Sequence, residues 1–118
     1  MHTVVDTFSA EVQSEPRQLT MFLILYPQSS QEEVVALLDE LGVSGYTQTD
    51  KVIGRGPRGH HFDSQIWPGA DGMIYCVVPA DKRDLLATAL GNFSHALEHN
   101  SQGLYGLHVF TWSCQQLT

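Results

Sequence analysis

The chain has 118 residues, 42% of them hydrophobic, which suffices for one domain with a core and is short for two. Six basic residues stand against thirteen acidic ones, giving −7 with neutral histidine, a balance that opposes general binding to nucleic acid or anionic membrane. No apolar run reaches the roughly 18 residues needed to cross a bilayer, no basic-then-apolar leader opens the chain, and Cys76 and Cys114 form neither a disulfide framework nor a Cys-x-x-Cys pair. The expectation is a reduced, cytoplasmic protein without direct membrane insertion.

Residues 1–18 are mostly polar and read as a flexible N-terminal extension, with a short ordered piece around Val4–Phe8; the domain proper is expected over 19–118. Leu19–Tyr26 is apolar apart from Thr20 and is ended by Pro27, the pattern of a buried strand. Ser30 as N-cap, with Glu33 completing a capping box, opens a helix whose apolar stripe is Val34, Leu37, Leu38 and Leu41. Gly42 ends it, as a left-handed C-terminal residue does. Tyr46–Ile53 reads as a second strand.

Gly54-Arg55-Gly56-Pro57-Arg58-Gly59 and the His-rich sequence up to Pro68-Gly69 then pass without helical or strand periodicity, the length of a functional loop. Met73–Val78 is a third strand, Asp81 caps a second helix with Leu86, Leu90, Phe93 and Leu97 as its apolar face, and Leu104–Trp112 is a fourth strand. Strand–helix–strand, long loop, strand–helix–strand makes an α+β ferredoxin-like βαββαβ sandwich, both helices on one face of an antiparallel sheet. The other face would be left bare, and apolar runs in the first and third strands predict that oligomerisation covers it.

Gly54 to Gly59 matches G-x-G-x-x-G literally, but Pro57 and Gly59 forbid the helix that a dinucleotide fold needs there. A simpler property survives: glycines admit an anion close to backbone N–H groups, and guanidinium groups add forked donors. Lys51, Arg55 and Arg58 are half of all the basic residues, placed within eight positions of an acidic chain. His60, His61 and Asp63 are of metal-ligating type but have no second cluster at a known spacing. His95 and His99 share a helix face and read as a solvated helix end. Ser44 lacks a nucleophile elbow, Cys76 reads as core, Cys114 has no activating partner, and adjacent Asp39 and Glu40 diverge on a helix. No constellation supports an enzyme.

Gly42-Val43-Ser44-Gly45-Tyr46-Thr47, followed by Gly54-Arg55-Gly56-Pro57-Arg58-Gly59, resembles the PII signalling family. There the first helix ends in a Gly-Val-x-Gly-x-Thr segment, and a Gly-x-Gly stands at the base of a long T-loop. The return through Trp67-Pro68-Gly69 to Met73–Pro79 and Asp81 is similar to the PII-like relatives. The resemblance covers residues 19–113. It implies a homotrimer with adenine-nucleotide sites between subunits and a protein partner engaged by the loop 57–69. Carried over by position, Ile24, Thr47, Gly54, Gly56 and Val77 would surround base and ribose, Arg55 and Arg58 would face phosphates, and Gly103 and Gly106 would match the neighbouring subunit's B-loop.

The chain also departs from the family. The lysine after the T-loop falls near Asp71, the B-loop lysine near Leu107, and the C-terminal arginines have no counterpart up to Thr118. Fewer cations favour fewer phosphates, so ADP or AMP is expected over ATP, with no tightly bound cofactor. The spacing from Thr47 to Gly54 is one residue longer than in nitrogen-regulatory members, and no tyrosine lies between Pro57 and Trp67 for nucleotidylation. Two branches of PII-like relatives fit. One is tied to carboxysomes and inorganic carbon, implying bicarbonate as a further ligand; the other is tied to heavy-metal efflux. A ligand-free interaction module is the third reading.

Overall fold

The computed structural model describes residues 17–43, 45–49 and 72–118, together with the backbone alone of 55–56 and 59–60. Strand β1 (Arg17–Tyr26) leads through a 3₁₀ turn to helix α1 (Gln31–Glu40), then to β2 (Tyr46–Thr49). Two-residue strands β3 (Arg55–Gly56) and β4 (Gly59–His60) pair with each other. Strand β5 (Gly72–Pro79) follows, then a second 3₁₀ turn, helix α2 (Arg83–Asn100) and β6 (His108–Gln116). The four long strands form one sheet in the order β2-β5-β1-β6, with every neighbouring pair antiparallel. This is the expected ferredoxin-like sandwich, and the first strand of each half lies at the centre of the sheet.

The core lies between the sheet and the helices. Phe22, Ile24 and Tyr26 of β1 and Ile74, Cys76 and Val78 of β5 alternate inward and meet Val34 and Leu38 of α1 and Leu86 and Leu90 of α2. Each such side chain contributes roughly 1.5–3 kcal/mol when fully buried. Burial also raises the Cys76 thiol to about 11, so it stays protonated and inert at neutral pH, as its mid-strand position suggested.

Gly42 has the predicted left-handed backbone, at φ +79°. Its N–H donates to the Asp39 carbonyl (3.1 Å) and the Val43 N–H to the Leu38 carbonyl (2.9 Å), a complete Schellman closure with Val43 and Leu38 both buried. Lys82 Nζ donates to the Leu41 carbonyl at 3.2 Å, so a cation from the other half of the fold neutralises the helix end.

Several boundaries differ from the sequence expectation. Strand β1 starts at Arg17, paired with Gln116, two residues before the apolar run. Ser30 stands at the N-cap position of α1 but makes no side-chain cap: it closes the 3₁₀ turn Gln28–Ser30 at φ −101°, ψ 4°, away from the extended backbone that a capping side chain needs. Asp81 likewise lies inside the 3₁₀ turn Ala80–Lys82, and α2 begins at Arg83. The last strand runs over His108–Gln116 rather than Leu104–Trp112, because the backbone of 105 and 107 is bound by serine hydroxyls. Ser101 Oγ accepts from the Tyr105 N–H (2.9 Å) and Ser94 Oγ from the Leu107 N–H (2.9 Å).

Gly91 interrupts α2, and a Cβ built there meets nothing within 4 Å. Gly91→Ala should therefore stabilise the chain by about 0.5–1 kcal/mol through the helix backbone. Thermal unfolding should move up by about 2–5 °C. An unchanged or lowered midpoint would mean that the space above Gly91 is filled by something other than the described residues.

Candidate functional site

Alternation along the strands gives the sheet a second face that neither α1 nor α2 covers. Strand register places its residues in rows. One row runs Thr47, Tyr75, Leu23 and Phe110; the next joins Val77, Met21 and Trp112; a third joins Pro79, Leu19 and Cys114. Tyr75 (38%), Val77 (41%), Phe110 (43%) and Trp112 (45%) keep large exposed surfaces in the single chain. Aromatic and aliphatic side chains aligned over three strands form a contiguous apolar patch of the kind found at interfaces.

The carried-over site residues divide between the two edges of this sheet. At the β2 edge, Thr47 is exposed on the open face opposite Tyr75, and Val77 stands diagonally beside it on β5. Ile24 lies on the other face of β1, fully buried among Phe22, Ile74 and the helices. Arg55 and Gly56 form β3, and their pairing with β4 bears out the absence of a helix at this point. Gly54 and Arg58 lie outside the described residues.

Gly103 and Gly106 belong to the connection between α2 and β6, beyond the opposite edge. Three strand spacings separate β2 from β6, about 14 Å. Thr47 on β2 thus lies three strand spacings from β6, and Val77 on β5 two.

The connection at the β6 edge is rigidly built. Helix α2 ends in a second Schellman closure: the Gly103 N–H donates to the Glu98 carbonyl (2.7 Å) and the Gln102 N–H to the His99 carbonyl (3.3 Å). Gln102 (φ 56°) and Gly103 (φ 82°) are both left-handed. Ser101 Oγ grips Tyr105 through its N–H and also donates to its carbonyl at 3.2 Å. The result is an open cleft of ≈ 290 Å³ lined by Glu98, Gly103, Leu104, Tyr105, Gly106, Leu107 and His108. Leu107, where a cation would stand by position, is instead buried and tied to Ser94.

Glu98 and Tyr105 were not singled out as site residues from the sequence. Glu98 reaches the cleft only because the helix closure folds the chain back over it, and no local motif announces that.

Metal ligation finds no support in the described part. Among the described residues no group of three His, Cys, Asp or Glu side chains could hold a metal ion. Only the backbone of His60 is described, and His61 and Asp63 lie outside. His95 is exposed on α2, as is His99. No helix of the described residues is long and apolar enough to cross a membrane.

Known structures share this architecture. CPII, a nitrogen regulatory PII-like protein from Thiomonas intermedia K12, bound to ADP, AMP and bicarbonate, superposes with a TM-score of 0.61 at 25% identity, covering 86% of this chain and 94% of that one. CPII bound to ADP and bicarbonate gives 0.64 at 24% identity, over 88% and 93%. Its apo form gives 0.56 at 22% identity, over 86% and 97%. No curated protein matches the chain significantly. Residues 19–110 match the family described as Nitrogen regulatory protein P-II. With the sandwich, its bare apolar face and the glycine-bearing connection at the β6 edge, that match over most of the chain places it in the P-II family, among its PII-like members.

Proposed function

We propose that the protein is a non-enzymatic, cytoplasmic signalling protein that assembles as a homotrimer and binds an adenine nucleotide between subunits. ADP or AMP is favoured over ATP, bicarbonate is a second ligand, and the loop 57–69 passes ligand state to a protein partner in inorganic-carbon metabolism. The observation that carries the ligand class is the likeness, at 25% identity over 86% of the chain, to a protein bound to ADP, AMP and bicarbonate. The assembly is supported by the bare apolar sheet face and by the position of the two half-sites on opposite edges. A closed ring, in which the β2 edge of one subunit meets the β6 edge of the next, joins the halves into three equivalent sites. Arg55 and Arg58, beside Gly54 and Gly56, supply the positive charge for a phosphate or small oxyanion.

Calorimetric titration with adenosine, AMP, ADP, ATP and bicarbonate tests this reading. A charge-assisted hydrogen bond contributes roughly 1.5–3 kcal/mol, so losing one guanidinium costs about tenfold to a hundredfold in affinity. Arg55→Ala and Arg58→Ala should each weaken ADP far more than adenosine, and Thr47→Ala should weaken both alike. Equal losses for ADP and adenosine in the arginine variants would place the phosphates elsewhere. Wild type that binds neither nucleotide nor bicarbonate at millimolar ligand would leave the bare interaction module.

A further inference from the structure

The cleft at the β6 edge has a chemistry at odds with a polyphosphate. Its described lining includes one carboxylate, Glu98, the imidazole of His108, an aromatic ring, Tyr105, and the aliphatic Leu104 and Leu107, with no lysine or arginine. The carboxylate lies directly across the glycine of the cleft: a Cβ at Gly106 would stand 2.9 Å from Glu98 Oε1 and 3.0 Å from its Cγ. Ser94 Oγ lies 3.4 Å from both Glu98 Oε1 and the Leu107 carbonyl, which share its one proton, so the hydroxyl that fixes Leu107 also stands against the acid. Glycine at 106 leaves room for this approach. Tyr105 and Leu104 stay 37% and 66% exposed on a backbone held by Ser101, so an apolar or aromatic group finds a firm surface there.

We infer that Glu98 is a specificity-determining residue: its carboxylate, standing in the cleft of the connection before β6, filters ligands by phosphate number. This rests on the adenine-nucleotide reading and adds a repulsive element to it. Few cations merely fail to reward extra phosphates, whereas a fixed carboxylate selects against them. Like charges repel, and the repulsion grows with each added phosphate, although solvent around the exposed Glu98 screens it in part. Glu98 is exposed and makes its only side-chain bond with Ser94 among those described, so the isosteric Glu98→Gln leaves the fold intact.

The test is titration of wild type, Glu98→Gln and Glu98→Lys with adenosine, AMP, ADP and ATP at low salt, with light scattering and thermal unfolding on each protein. Glu98→Gln should leave adenosine within about twofold and raise ATP affinity relative to adenosine by about threefold to tenfold, with ADP between. Glu98→Lys should extend the trend, and added salt should compress it. A ratio of ATP to adenosine affinity that is the same in all three proteins overturns the filter while leaving nucleotide binding in place. Loss of adenosine together with the nucleotides in Glu98→Gln overturns it as well, since the acid would then hold the nucleoside. Wild type that binds none of the four ligands removes the reading on which the filter stands, and the filter with it.

Discussion

In the proposed homotrimer, Phe110→Asp is expected to break the assembly into folded monomers. Phe110 sits in the row Thr47–Tyr75–Leu23 on the open sheet face, flanked on the same face by Trp112, and is 43% exposed in the single chain. Its ring is not part of the core that α1 and α2 cover, so the substitution should leave that core in place. In the assembly the same position would bury an unpaired carboxylate among apolar side chains. Truncation of a central aromatic contact costs about 2–4 kcal/mol, and desolvating an unpaired charge adds to it. Association should weaken by at least a hundredfold, enough to dissociate a micromolar sample. Light scattering should report a single chain while circular dichroism keeps the wild-type spectrum. A trimer that persists in Phe110→Asp would show that this face is not the interface.

Gly72→Val is expected to be the most damaging single change to the subunit. Gly72 opens β5 directly opposite Tyr26 of β1, and the tyrosine ring lies across it. A Cβ at 72 would stand 2.4 Å from Cε2, 2.6 Å from Cζ and 2.9 Å from the hydroxyl oxygen of Tyr26. Tyr26 is fully buried, and its hydroxyl accepts a hydrogen bond from Gln48 Nε2 at 3.3 Å. The ring therefore cannot swing aside without breaking core contacts. Overpacking of this kind costs about 3 kcal/mol, and the loss should lower the unfolding midpoint by at least 10 °C. Tyr26→Phe should be far milder, because the ring and its place over the glycine remain. A Gly72→Val protein as stable as wild type would mean that the strands shift register to absorb the side chain.

These two positions show what the sequence could and could not specify. The run Leu19–Tyr26 announced a buried strand, but continuous apolarity hides which residues face the helices. Register alone separates Phe22, Ile24 and Tyr26 from Met21 and Leu23. Gly42 was legible because a glycine after a helical stripe has one common use, and its left-handed backbone follows. The 3₁₀ turns after Pro27 and Pro79 were not legible: Ser30 and Asp81 look like caps whether or not a tighter turn precedes the helix. The start of β6 slipped by four residues for a tertiary reason, since Ser94 and Ser101 withdraw Leu107 and Tyr105 from strand pairing. Thr47 and the glycines were named from a family motif. Glu98 reaches its cleft through the fold alone, eight positions before the glycine it covers.

Nucleotide binding is expected to belong to the assembly and not to the single chain. Sedimentation velocity of wild type and Phe110→Asp with ADP, followed at the nucleotide's absorbance, addresses it directly. ADP should travel with a three-chain species at one nucleotide per chain when saturated, and should stay free beside the monomeric variant. ADP carried equally well by the folded monomer would contradict a site shared between the β2 edge of one subunit and the β6 edge of another.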